Sequence, residues 1–188
     1  MPTDGINVYI GQDARLRSVS AADADELFAL TDANRQYLRQ WLPWLDGTRA
    51  PDDTLAFIRG AGRQSAAGQG FVAVLLVDER IAGVIGYHGI DWSIRSGRLG
   101  YWLAEARQGR GLMTCACRAM ISDAFTRLDL DRLTIACAVG NIRSRAIPER
   151  LGFSPERTVL AAERLYDREV DHVVYALERS AWTGARVR

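Results

Sequence analysis

Apolar and polar positions change period several times along the 188 residues, and each change marks an element. Leu16-Arg17-Ser18-Val19 alternates and predicts a short strand. Ser20 then starts a helix, with Asp23, Asp25 and Glu26 crowding its first turns, where a helix N-terminus favours negative charge. Leu27, Leu30, Ala33 and Leu38 predict one apolar face over two adjoining helical pieces. Asp52 and Asp53 open a further helix to about Gln64, while the Gly-, Ala-, Ser- and Gln-rich segment 60–70 reads as loop. Residues 71–77 are continuously apolar, as in a central strand. Asp78-Glu79-Arg80 is a turn and 81–91 the second arm of a hairpin. Gly83, Gly86 and Gly89 within that arm predict bends or a bulge. A third strand follows at 97–103. Leu112, Met113, Ala116, Cys117, Met120, Ile121, Ala124, Phe125 and Leu128 recur at helical spacing. Residues 132–139 alternate as a strand. A short helix runs from Asn141 toward Gly152, a glycine suited to the position after a helix end. Pro148 inside it either sits early enough to be tolerated or kinks it. Two last strands fall near 158–165 and 171–177. The first ten or so residues read as a loose lead-in and 179–188 as a mobile tail. The segregated antiparallel strands predict an α+β chain of one domain, 1–188, with its core at about 16–178. The strand–helix–strand unit spanning 97–139 predicts a right-handed crossover between parallel strands.

The stretch around which this pattern turns is YWLAEARQGRGLMTCACR, residues 101–118. A strand leads into Gln108-Gly109-Arg110-Gly111, and a helix begins at once. Such a loop can aim several backbone N–H groups at one point, and the helix N-terminus adds unpaired donors and partial positive charge. That chemistry suits a phosphate or pyrophosphate. Glycines at 109 and 111 let a ligand approach the backbone closely. There is no GxxxxGK[ST] and no GxGxxG with a distant acidic residue, so neither the P-loop nor the dinucleotide fingerprint is present.

Composition narrows the partners. Basic and acidic residues number 24 and 23, and the net charge of +1 offers no electrostatic footprint for nucleic acid or a membrane surface. No apolar run is long enough to span a bilayer. MPTDGINVYIG lacks a basic segment followed by an apolar core, so a cytoplasmic location is expected. Three cysteines, without a secretory signal, argue against a disulfide framework. Cys117 and Cys137 read as core; Cys115 sits in the first turns of a helix, where a thiol pKa can fall.

Gln108-Gly109-Arg110-Gly111-Leu112-Met113 resembles the [QR]-x-x-G-x-[GA] loop of the GNAT superfamily of acyl-CoA-dependent N-acyltransferases. Met113 replaces the final Gly/Ala, as is usual in the RimJ/RimL branch that acetylates N-termini of ribosomal proteins. YWL, GLMT and NIRSRAIPERLGF are similar to that branch, and the resemblance extends from about Leu16 to Glu178. It implies the GNAT fold: a mixed, mostly antiparallel twisted sheet with helices on both faces and splayed parallel strands forming an acyl-CoA cleft. It also implies acetyl-CoA as cosubstrate, no metal, and direct attack by an amine in a ternary complex.

The site residues follow from the same resemblance. Gln108, Gly109, Arg110, Gly111, Leu112, Met113 and Thr114 form the phosphate cradle. Trp102, Leu103 and Ala104 offer backbone to the pantetheine, with an amide near Leu103 or Ala104 holding the thioester carbonyl. Asn141 bonds the pantetheine, and Ser144 protonates the departing thiolate. Glu163 is the candidate base, with Asp167, Glu169, Asp171 and His172 as weaker ones; a solvated ion pair would equally explain Glu163. The run N-x-x-x-L-x-x-W-L-P-W places Tyr37, Trp41 and Trp44 at the acceptor cleft, although two tryptophans around a proline fit core packing as well. His88 is a further substrate-side candidate, or a structural histidine. The acceptor is then a protein N-terminus or a small amine, and a homodimer is compatible. A longer acyl group, or an acyl-CoA sensor without turnover, are the alternatives.

Overall fold

The computed structural model describes residues 5–11 and 13–184. Strands β1 (Asn7–Tyr9) and β2 (Ala14–Ser18) precede helices α1 (Ala24–Ala33), α2 (Arg35–Leu38) and α3 (Pro51–Ala66). A meander follows: β3 (Gly70–Val77), β4 (Arg80–Asp91) and β5 (Ser96–Leu103). Helix α4 (Leu112–Thr126), β6 (Arg132–Ala138), α5 (Ile142–Arg150), β7 (Ser154–Leu165) and β8 (Arg168–Glu178) complete the chain. The strands form one sheet in the order β1-β2-β3-β4-β5-β6-β8-β7, antiparallel except for β5 with β6. This is the mixed, mostly antiparallel sheet expected.

Alternation along the strands sends side chains to two cores. Leu16, Phe71, Ala73, Leu75, Ile85, Tyr87 and Leu99 meet Met113, Ala116, Cys117, Met120 and Ile121 of α4 on one face. Val72, Val74, Leu76 and Val84 meet Ala24, Leu27, Ile58 and Ala61 of α1 and α3 on the other. The Tyr87 hydroxyl donates to the Met120 carbonyl and pins β4 to α4. Asp23 accepts two bonds from the Arg17 guanidinium, at 2.5 and 2.7 Å, and one from the Ser20 amide at 2.7 Å. Those bonds compensate a nearly buried carboxylate and fix the start of α1 on β2.

Three expectations fail. The described part of the lead-in is not loose, because Asn7–Tyr9 pairs with Arg15–Arg17 of β2, while residues 1–4 lie outside the described residues. Segment 60–70 is not all loop: α3 continues through Gly60 and Gly62 to Ala66, since Ile58 and Ala61 are buried against the sheet. Tertiary burial here outweighs the roughly 1 kcal/mol helix penalty of each glycine. The tail is anchored from Arg179 to Trp182, with Arg179 donating to the Leu130 carbonyl at 2.7 Å and Trp182 lying 6.5 Å from Phe125, while residues 185–188 lie outside the described residues. The bulge predicted in β4 is present after Tyr87, with Gly89 at φ +79°.

Candidate active site

Parallel strands β5 and β6 pair at three positions only, Ser96 with Arg132, Gly97 with Leu133 and Arg98 with Thr134. Beyond them the strands diverge. β5 stays on β4 to Leu103, and β6 stays on β8 to Ala138. The gap opens toward the carboxyl ends of both strands. Ala104 donates its amide to the Ala82 carbonyl at 2.8 Å. Bonding alternates along an antiparallel pair, so Leu99, Tyr101 and Leu103 turn their backbone groups away from β4 and toward the gap. Of the two amides suggested by the resemblance, Leu103 faces the gap and Ala104 is already committed to β4.

The glycine loop lies just past this strand. Gly109 and Gly111 have φ +76° and +73°, the left-handed region, and an added Cβ at either would meet nothing within 4 Å. Gly111 is the residue before the first turn of α4, and the first helical bond runs from the Cys115 amide to the Gly111 carbonyl at 3.0 Å. The amides from Gly109 to Thr114 find no protein acceptor among the described residues. They are the unpaired donors that a helix N-terminus and the loop before it leave free. The Gln108 side chain bridges the loop to its surroundings. It donates to the Tyr37 hydroxyl and accepts from Arg143 at 2.7 Å. Tyr37, expected on the acceptor side, thus has its hydroxyl at the donor loop.

Helix α5 closes the same face. The Asn141 side chain accepts from the Ser144 amide at 3.1 Å and caps the helix. Pro148 lies in the interior of α5 and has no N–H for the Ser144 carbonyl four residues back. The Tyr101 hydroxyl takes that place, donating to the Ser144 carbonyl at 3.0 Å. The proline is therefore tolerated through a bond across the gap, and α5 is tied to β5. Burial pushes the Tyr101 phenol far above its usual pKa, so it remains a neutral donor. The Ser144 hydroxyl lies 3.2 Å from the Cys137 sulfur and 3.4 Å from the Tyr101 oxygen. Burial raises the Cys137 thiol pKa as well, against hydrogen bonds from Ser144 and Tyr101 that lower it. Tyr101→Phe should strand the Ser144 carbonyl and cost roughly 1–3 kcal/mol, measured as a shift in denaturation midpoint. An unchanged midpoint would show that water replaces the phenol.

The opposite face carries a different set. Thr134, Ala136 and Ala138 of β6 stand opposite Ala176, Val174 and His172 of β8, away from α4 and α5. His172 Nε2 is 3.6 Å from a Glu163 carboxylate oxygen. Burial raises the Glu163 pKa, opposed by the charge of His172. β7 bulges between Val159 and Glu163, with Ala161 at φ +48° and its amide held by the Asp171 carboxylate at 2.8 Å. Bulges re-aim side chains, and this one sets Glu163 beside His172. Glu163 and Ser144 thus lie on opposite faces of the sheet.

Segment 39–46 roofs the open face. Tyr166 donates to the Leu42 carbonyl and Arg168 to the Gln40 carbonyl, both at 2.8 Å, and Arg39 stacks 3.7 Å from the Tyr166 ring centroid. The Trp44 and Trp102 rings lie 6.5 Å apart, and Trp41 reaches toward Gly140 beside Asn141. Leu45 is fully buried, whereas Trp44 is 39% exposed, so the core load falls on the leucine. Trp44→Ala should therefore raise the acceptor KM more than the acetyl-CoA KM and leave stability nearly intact. A large fall in melting temperature with both KM values unchanged would return Trp44 to the core. His88 stands against Gly100 on this face and borders a groove with Phe57, Arg63, Gln64 and Val72.

The sequence missed Tyr101 as a side-chain partner, though Pro148 signalled an orphaned carbonyl that needed one. It also missed Arg143 and the β7 bulge. Among the described residues no cluster of His, Cys, Asp and Glu is arranged to hold a metal ion.

Comparisons with known proteins bear on the fold and the family. The family model described as an acetyltransferase (GNAT) domain matches residues 14–154. The chain is similar to a putative ribosomal N-acetyltransferase YdaF of Bacillus subtilis (strain 168), at 36% identity over 94% of this chain and 97% of that one. It is 27% identical to the ribosomal-protein-serine acetyltransferase of Escherichia coli (strain K12), over 90% and 94% of the two chains. Among solved structures, RimL, the ribosomal L7/L12 α-N-protein acetyltransferase in complex with coenzyme A, superposes with a TM-score of 0.89 at 25% identity. That match covers 92% of this chain and 98% of the other.

Proposed function

The chain belongs to the GNAT family of acetyltransferases, and from that premise we propose that its acceptor is the α-amine of a protein N-terminus. As an acetyl-CoA-dependent N-acetyltransferase it must cradle phosphates, polarise a thioester, accept a neutral amine and release a thiol. The gap between β5 and β6 carries the reading, because it joins the free-amide loop on one face to Glu163 on the other. In the proposed arrangement the amides of 109–114 take the pyrophosphate, with Gln108 and Arg110 at the rim. The backbone of 101–103 and Asn141 hold the pantetheine, and the Leu103 amide bonds the thioester oxygen as it gains charge. Trp41, Trp44 and Trp102 border the acceptor, with His88 farther along the groove.

An α-amine has a pKa of about 7.7–8.0, so a substantial share is neutral at neutral pH. It attacks the thioester carbon directly, and Glu163 takes its proton, directly or through one water. Burial raises the Glu163 pKa and so strengthens it as a base. The carbon–sulfur bond then breaks, and the Ser144 hydroxyl supplies a hydrogen bond or proton to the thiolate. The relatives named as ribosomal-protein acetyltransferases support a protein acceptor and a cytoplasmic setting. A homodimer belongs to the same proposal; β7 is exposed along most of its length, Leu160 at 75%, and sedimentation of the purified chain tests it.

The deciding experiment is an amine panel with acetyl-CoA, read as free thiol. Peptides with a free α-amine should turn over faster than free lysine side chains, polyamines and aminoglycosides. Preference for a small amine would overturn the protein acceptor. Failure on every amine would leave an acyl-CoA sensor.

A further inference from the structure

The open face of the sheet holds a groove of about 250 Å³ at the closed end of the β5–β6 pair, bordered by Asp91, Arg98, Thr134, Ala136, Arg157 and Val174. Two guanidinium residues and one carboxylate line it. Asp91 is engaged locally, accepting from the Ser93 amide and hydroxyl at 2.9 and 2.6 Å. Arg157 pairs with Glu156, a carboxylate it shares with Arg132. Arg98 differs from both. Its Nε donates to the His88 carbonyl at 3.2 Å, and among the described residues no carboxylate forms an ion pair with it. A guanidinium seeks a carboxylate or phosphate in a bidentate arrangement, and the one carboxylate lining the groove, Asp91, forms no ion pair with it.

The strand that floors the groove leads toward the base. Thr134, Ala136 and Ala138 share this face of β6, and Ala138 stands opposite His172, the neighbour of Glu163. From Ala138 back to Thr134 is about 13 Å at about 3.3 Å per residue. The alanines keep the floor low between the two ends. An extended peptide lying along β6 from Ala138 covers that distance in about four residues, with Glu163 and Arg98 standing on flanking strands at its two ends. We propose that the groove is a specificity subsite for an acidic side chain at the third to fifth position of the acceptor, with Arg98 as its anchor. This rests on the protein N-terminus reading above, and adds to it the chemistry of the segment behind the amine.

The test uses octapeptides with a free α-amine and identical first two residues, carrying Glu, Gln or Lys at positions three to five. The full-length enzyme should show kcat/KM roughly 10–100-fold higher for Glu than for Gln, the range of a hydrogen bond to a charged group, mostly in KM. Lys should be poorer still, and the Glu advantage should shrink with added salt. Arg98→Gln should erase the advantage and Arg98→Glu should reverse it toward Lys. Calorimetric titration of acetyl-CoA should give wild-type affinity for both variants, which separates loss of the subsite from loss of fold. Equal kcat/KM for all three peptides, or a preference that survives Arg98→Glu, overturns the subsite alone. No turnover of any peptide overturns the protein-acceptor reading, and the subsite with it.

Discussion

Glu163→Gln lowers kcat by about 10²–10⁴-fold, the range for a positioned proton transfer. The amide keeps the shape but cannot take a proton. Burial sets the folded Glu163 pKa above the usual carboxylate value. As a base it works only when ionised, so the wild-type rate should rise with pH through that raised pKa and fall below it. The Gln variant should lose this limb. Its residual rate should instead follow the amine's own titration near 7.7–8.0, recovering part of the loss in alkali. Ser144→Ala should cost less and recover little, because a thiol with a pKa near 8.5 leaves fairly readily as an anion. Acetyl-CoA affinity should hardly change in Glu163→Gln, since Glu163 sits on the face away from the loop. A pH–rate profile for both variants at saturating acetyl-CoA makes the comparison. An unchanged rate and profile in Glu163→Gln would hand amine activation to His172 or to water.

Gly111→Asp should lower acetyl-CoA affinity on the order of 100-fold or more, by setting a carboxylate among donors that would otherwise bond a pyrophosphate. The fold should survive. Asp tolerates the left-handed region better than most residues, and a Cβ at 111 meets nothing within 4 Å. Gly111→Ala supplies the contrast, with similar strain and no charge, and should lose much less. Calorimetric titration measures both. Wild-type affinity in a folded Gly111→Asp variant would remove the loop from phosphate binding.

How much was legible depends on whether a residue's role is local. The position of the glycine loop was, because strand, glycines and apolar helical run follow one another within one short window. The strands of the meander were, because short apolar runs bounded by turn residues, 71–77 the clearest, mark buried strands. β1 was not: all three of its residues are exposed, so it holds by backbone pairing and carries no hydrophobic pattern. The extension of α3 through two glycines is set by what Ile58 and Ala61 pack against, which lies elsewhere in the chain. The same holds for Tyr101 under Ser144 and for the Ala161 bulge held by Asp171. The Arg98 groove is assembled from β4, β5, β6, β7 and β8, so no window of sequence contains it.

The short contact between β5 and β6 has a mechanical consequence. It leaves two bare strand edges inside the sheet rather than at its rim, where exposed edges usually invite unwanted pairing. The β1–β5 part and the β6–β8–β7 part are joined by a ladder of only three residue pairs. A slender, amide-bearing chain seated between the bare edges would supply the missing rungs and splice the halves together. The donor would then be a structural member of the enzyme while it reacts, and the second substrate would meet a floor that the first has stiffened.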